Sequence, residues 1–159
     1  SRSCGTCVPR CGRRVSPEPP MRVRLIAAGT RLPGWVNEGY NEYAKRLVGI
    51  RLELVEIPPR RSVLKLIAPR DFVVALEVTG RAMTTAELAR WLEARLAGGR
   101  DLAFVIGGPD GHAPELLERA DFRWSLSPLT WPHGLARVMV VEQLYRAQSI
   151  LKGHPYHRG

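Results

Sequence analysis

FVVALEVTGRAMTTAELARWLEARLAGGRDLAFVIGGPDG, Phe72 to Gly111, decides the fold of this chain. Its first seven residues are almost continuously apolar and rich in β-branched side chains, as a parallel strand covered on both faces requires. Thr84-x-x-Glu87 is a capping box. It opens a helix whose Leu88, Trp91, Leu92 and Leu96 form one apolar stripe and which Gly98-Gly99 closes. Leu102 to Ile106 is a second buried strand, and it runs directly into a Gly-rich loop. Strand, helix and strand in this order form a parallel crossover unit.

The same alternation extends outward. Val23 to Ala28 reads as a strand ending at Gly29, and Trp35 to Leu47 as a helix with Val36, Tyr40, Tyr43 and Leu47 on one face. Leu52 to Ile57 is a strand stopped by Pro58-Pro59, Glu115 to Ala120 a short helix, Phe122 to Leu126 a short strand, and Leu135 to Leu151 a final helix. The predicted class is α/β, a mainly parallel sheet with helices on both faces.

With 159 residues, 45% of them hydrophobic, the chain can build one ordinary core. No apolar run approaches the roughly 18 residues of a membrane span, so a soluble, cytoplasmic protein is expected. Residues 1–20 are rich in Pro, Gly, Ser and Arg without periodicity and read as a disordered extension of a domain spanning 21–159. Cys4, Cys7 and Cys11 all lie in this extension, which excludes a disulfide scaffold or thiol chemistry in the domain. No fourth ligand completes a zinc site beside them, and no metal is predicted. The net charge of +9 includes +3 from the extension, leaving a domain basic enough for a polyanionic partner or simply one kept soluble by its charge.

Two loops stand out. VIGGPDG, Val105 to Gly111, follows a strand and precedes a helix, where backbone N–H groups can approach a ligand. It matches neither G-x-G-x-x-G nor a phosphate-binding Walker loop, and a purely structural turn explains it equally. Leu126 to Trp131 mixes Leu126, Leu129 and Trp131 with Ser127, Pro128 and Thr130, a composition suited to a flat heterocycle held by stacking and main-chain bonds. A helix-capping turn is the alternative. No nucleophile elbow is present, and no Cys accompanies His112, His133, His154 or His157. The last helix is apolar around much of its circumference, which predicts burial in a dimer. Glu142 and Arg146 stand at i,i+4, and the terminal HPYHR either grips RNA by charge and stacking or frays.

Taken together, LIAAGT (Leu25–Thr30), EYAKRL (Glu42–Leu47), DFVVALEVTGR (Asp71–Arg81), FVIGGPDG (Phe104–Gly111), WSLSPLTWPHGLARVMVVEQLYRA (Trp124–Ala147) and the terminal HPYHRG resemble one family. It is the bacterial SPOUT-class family that methylates ring nitrogen N3 of a pseudouridine in 23S rRNA of the large ribosomal subunit. The resemblance covers essentially all of Met21 to Gly159. It implies a C-terminal deep trefoil knot, a homodimer, and S-adenosylmethionine bound by Leu76, Gly107, Leu126, Ser127, Pro128, Leu129, Thr130 and Trp131. It further makes Arg158 and His133 the catalytic candidates, with Tyr156, His157 and Arg158 on the substrate. The chain departs from the family between Pro58 and Asp71, where PPRRSVLKLIAPRD replaces a longer basic helical stretch. A non-catalytic RNA- or ribosome-binding protein on the same scaffold therefore stands as the alternative function.

Overall fold

The computed structural model describes residues 20–29 and 31–158; the Cys-containing extension lies outside them. Five strands, β1 (Met21–Ala28), β2 (Ile50–Ile57), β3 (Phe72–Ala82), β4 (Leu102–Ile106) and β5 (Phe122–Ser125), form one sheet in the order β2-β1-β4-β3-β5. Every pairing is parallel, with Leu102 of β4 opposite both Val23 and Phe72. Four helices connect or follow the strands: α1 (Gly34–Ala44), α2 (Thr85–Ala97), α3 (Pro114–Arg119) and α4 (His133–Leu151). Short 3-10 turns at Val63–Leu66 and Pro155–Arg158 complete the architecture.

Strand alternation sorts the core into two layers. Val23, Leu25, Val74, Leu102 and Phe104 point to the face covered by α1, α2 and α4, while Ile26, Val73, Ala103 and Val105 point to the other. Among the described residues that second face is covered by α3 and the Val63–Leu66 turn, which contribute Leu116, Val63 and Leu66. Asymmetry of cover follows from the short crossover after β2.

Local chemistry agrees with the sequence in most places. The Glu87 backbone N–H donates to Thr84 Oγ1 at 3.2 Å, and the Thr84 N–H donates to the Glu87 carboxylate at 2.7 Å, closing the capping box. Leu88 and Leu92 are buried as the stripe predicts, but Leu96 lies one turn past the sheet and is 36% exposed. Helix α1 stops at Ala44, three residues short of the expected end. Strand β3 continues past Val78 to Ala82, with its register against Trp124 shifting from Leu76 to Arg81. Gly80 sits in this irregular stretch, and a Cβ there would meet the Arg123 carbonyl oxygen at 2.7 Å, so only glycine allows the two strands to close.

The breadth of the apolar face of α4 has a physical cause inside one chain. The helix is wedged between α1 and α2, and none of its 19 residues is fully exposed. Even Arg137 is wholly buried there, its guanidinium donating to Glu56 at 2.5 Å. The face that suggested a partner is thus largely consumed within the monomer.

Candidate active site

Strand β4 ends at Ile106 opposite Leu76, the point beyond which the register of β3 against β5 becomes irregular. A cleft outside such strand ends is the usual ligand position in a parallel sheet. Both Gly-rich and Leu126–Trp131 loops converge on it. They enclose a cavity of about 220 Å³ whose walls include Leu76, Glu77, Ile106, Gly107, Gly108, His112, Trp124, Leu126, Ser127, Leu129, Thr130, Trp131 and His133. Of the residues expected at a cofactor, only Pro128 stands off the wall, and it is exposed.

Sequence dictates this geometry locally. Strand β5 ends at the sheet edge beyond β3, yet α4 begins beside β1, with His133 Nε2 3.1 Å from where a Cβ would stand on Gly29. Leu126 to Pro132 must therefore cross β3 and the end of β4, which makes that run a wall of the cavity. Ser127 stiffens it: its Oγ accepts the Leu129 N–H at 3.0 Å, while its carbonyl accepts the Ser125 hydroxyl at 3.0 Å. The opposite wall is tied down by His112, whose Nε2 lies 2.7 Å from the Leu76 carbonyl oxygen. A carbonyl only accepts, so Nε2 carries the proton. Gly107 is a close-approach position: a Cβ there would lie 3.0 Å from the Gly111 carbonyl carbon and 3.3 Å from the His112 ring.

The residues fit a flat, partly polar ligand such as an adenine nucleoside. Leu76, Ile106, Trp124, Leu126 and Leu129 supply apolar walls. Trp131 Nε1 is buried without a hydrogen-bond partner among the described residues, and the backbone N–H groups of Thr130 and Trp131 are also unpaired there. Free main-chain donors on a cavity wall are available to a ligand acceptor. The described residues contain no group of three or more His, Cys, Asp or Glu placed to hold a metal ion.

The terminal residues are elsewhere. Tyr156, His157 and Arg158 occupy the 3-10 turn that folds back onto α4, where Tyr156 meets Glu142, about 14 Å along the helix from His133. Tyr156 packs on Tyr145 with ring centroids 4.6 Å apart, its hydroxyl donates to Glu142 at 3.2 Å, and the Arg146 guanidinium lies 4.9 Å over its ring. Loss of solvent and the Tyr43 and Glu142 contacts push the Tyr156 phenol far up, so it stays a neutral donor. His157 Nδ1 is 2.8 Å from the His154 carbonyl oxygen, and Arg158 is exposed. Within one chain, pocket and tail do not meet. Sequence reasoning missed Glu77, Val78, Trp124 and the His112 strut, and only the position of His112 directly after the Gly-rich loop signalled it.

A family model described as "Predicted SPOUT methyltransferase" matches residues 21–157. A ribosomal RNA large subunit methyltransferase H from Alkalilimnicola ehrlichii is 56% identical over 155 residues, which cover 87% of this chain and 99% of that protein. Its namesake from Hahella chejuensis is 48% identical over the same shares. Because 87% of 159 residues is about 138, about 17 of the 155 aligned positions fall opposite gaps here. That number fits the expected shortening after β2. In fold alone, the chain is similar to a probable methylase family protein from Haemophilus influenzae, with TM-score 0.59, 13% identity and 84% and 69% of the two chains covered. A probable methyltransferase from Bordetella pertussis gives TM-score 0.57 at 16% identity, covering 80% and 96%. The strand order, the site at the strand ends and these likenesses converge: the chain belongs to the SPOUT methyltransferase family.

Proposed function

We propose that the domain transfers a methyl group from S-adenosylmethionine to ring nitrogen N3 of a pseudouridine in 23S rRNA. The observation that carries this reading is the cavity at the strand ends between the Gly107 loop and the Leu126–Trp131 loop, walled by Leu76, Leu126, Leu129 and Trp131. Bound there, the cofactor supplies an electrophilic methyl on its sulfonium. Leu76, Leu126 and Leu129 hold the adenine flat, Gly107 allows the backbone to approach it, and the Thr130 and Trp131 donors fix its orientation. Fixing the two reactants in line supplies much of the acceleration.

Pseudouridine must lose its N3 proton, and a cation stabilises the resulting anion. His133 faces the cavity and is placed to donate a hydrogen bond to that anion. Arg158, with Tyr156 and His157 beside it, is the cation, and its distance from the pocket of its own chain means that it serves the pocket of a second copy. The protein is on this reading a homodimer. Support comes from the exposed apolar Trp35, Val78 and Leu129, of which the last two rim the cavity. The passage from edge strand β5 back to α4 beside β1 is the route on which the family's trefoil knot forms. Residues 1–20 are an appendage to the catalytic domain. No described helix is long and apolar enough to cross a membrane, in keeping with work on ribosomes in the cytoplasm.

Calorimetry with S-adenosylmethionine, together with sedimentation, tests the reading. Stoichiometric micromolar binding to a particle of about twice the 17.8 kDa chain mass is expected. A folded protein that binds ribosomes but no cofactor would instead establish the non-catalytic alternative.

A further inference from the structure

A second cavity, of about 400 Å³, lies on the other side of the Gly107–Gly111 loop. Its floor is apolar, from Val63, Leu64, Val105 and Leu116, and its outer wall is the short crossover that carries Arg60 and Arg61. It shares Ile106, Gly107, Gly111 and His112 with the cofactor cavity, so the two are separated by one loop. Residues 58–70 contain Arg60, Arg61, Lys65 and Arg70 and no acidic residue. Arg60 and Arg61 are exposed and make no ion pair among the described residues, whereas Arg22 and Arg24 are each held by a carboxylate. One anion, Glu115, stands on the α3 wall. The crossover is thus a cationic rim around an apolar floor, with volume for a nucleotide.

We infer that this groove receives a single-stranded rRNA segment next to the target nucleotide, with one base on the Val63–Leu64 floor and Arg60 and Arg61 on its phosphates. The inference rests on the methyltransferase reading for the position of the target, and it commits to RNA because the rim is cationic and the floor apolar, the pairing that single-stranded nucleic acid requires.

The test uses the full chain and two probes: S-adenosylmethionine by calorimetry, and a fluorescein-labelled single-stranded oligoribonucleotide by anisotropy across a salt series. Replacing Arg60→Ala and Arg61→Ala together should leave cofactor affinity unchanged, weaken RNA binding on the order of tenfold, and flatten the log–log salt slope by about 1.4, about 0.7 per phosphate contact. Leu64→Asp, at a position already 37% exposed, should weaken RNA binding with an unchanged melting temperature. Parental RNA affinity and salt slope in both variants would overturn the proposal. So would a change in sedimentation of Leu64→Asp, because the groove would then hold a second copy of the chain. Failure of the methyltransferase reading shows separately, as absent cofactor binding by the parent.

Discussion

The guanidinium of Arg24 and the carboxylate of Asp71 form an ion pair beneath the short crossover, with side chains only 12% and 5% exposed. Arg24 also donates to the Leu66 carbonyl at 2.5 Å, and the same Asp71 carboxylate accepts the Ala68 N–H at 2.6 Å. One arginine of β1 thereby pins the second half of the connection, at Leu66 and Asp71. Arg24→Ala leaves Asp71 buried and uncompensated, and should cost about 3–5 kcal/mol. Urea titration reads this directly, and a loss below about 1 kcal/mol would show that the crossover holds itself.

His112 and Gly107 together shape the cofactor wall. His112→Ala frees the Leu76 carbonyl and should weaken S-adenosylmethionine binding on the order of tenfold, the worth of about one hydrogen bond. Gly107→Val should abolish binding. The reason is sharper than proximity to a ligand, because the added Cβ presses on Gly111 and His112 and displaces the loop itself. Circular dichroism must show both variants folded, and calorimetry must show the losses.

Burial pushes the Tyr40 phenol up to about 12, with nearby Arg137 opposing the shift. The unfolded chain ionises this phenol near its ordinary value of 10.0, so stability is intact below that pH and is lost as pH rises from there to about 12. Tyr40→Phe should remove this part of the alkaline loss. Thermal melts between pH 9 and 11.5 check it, and parallel decline of parent and variant would mean the phenol is solvated.

Arg158→Ala should leave cofactor affinity nearly intact while lowering single-turnover methylation of ribosomes, since Arg158 does not line the cavity of its own chain. A mixture of this variant with a cofactor-deficient Gly107→Val chain tests sharing between copies: heterodimers that join one intact pocket to one intact tail recover activity. No recovery would place the tail outside the active site.

Strand and helix placement was legible because the periodicities of this chain are strong. LAFVI was read to the residue, and the Thr84 capping box fixed the start of α2. What escaped was long-range. The extension of β3 past Val78 depends on its pairing with β5, and the wide apolar face of α4 is explained by two flanking helices that no local pattern reveals. At the site, the two loops were visible as Gly-rich or mixed stretches following strands. Trp124 and Glu77 were not, because only the crossing of Leu126 to Pro132 over the strand ends makes them lining residues. Nor does local sequence say that the tail folds back onto Glu142 and Tyr145 rather than into the pocket.

The central claim is chemical, and nucleoside mass spectrometry of 23S rRNA addresses it. Purified protein, S-adenosylmethionine and ribosomes lacking the modification should yield one N3-methylated pseudouridine per large subunit, absent when Gly107→Val protein is used. Ribosomes bound by the protein but returned without a methylated pseudouridine would contradict the account.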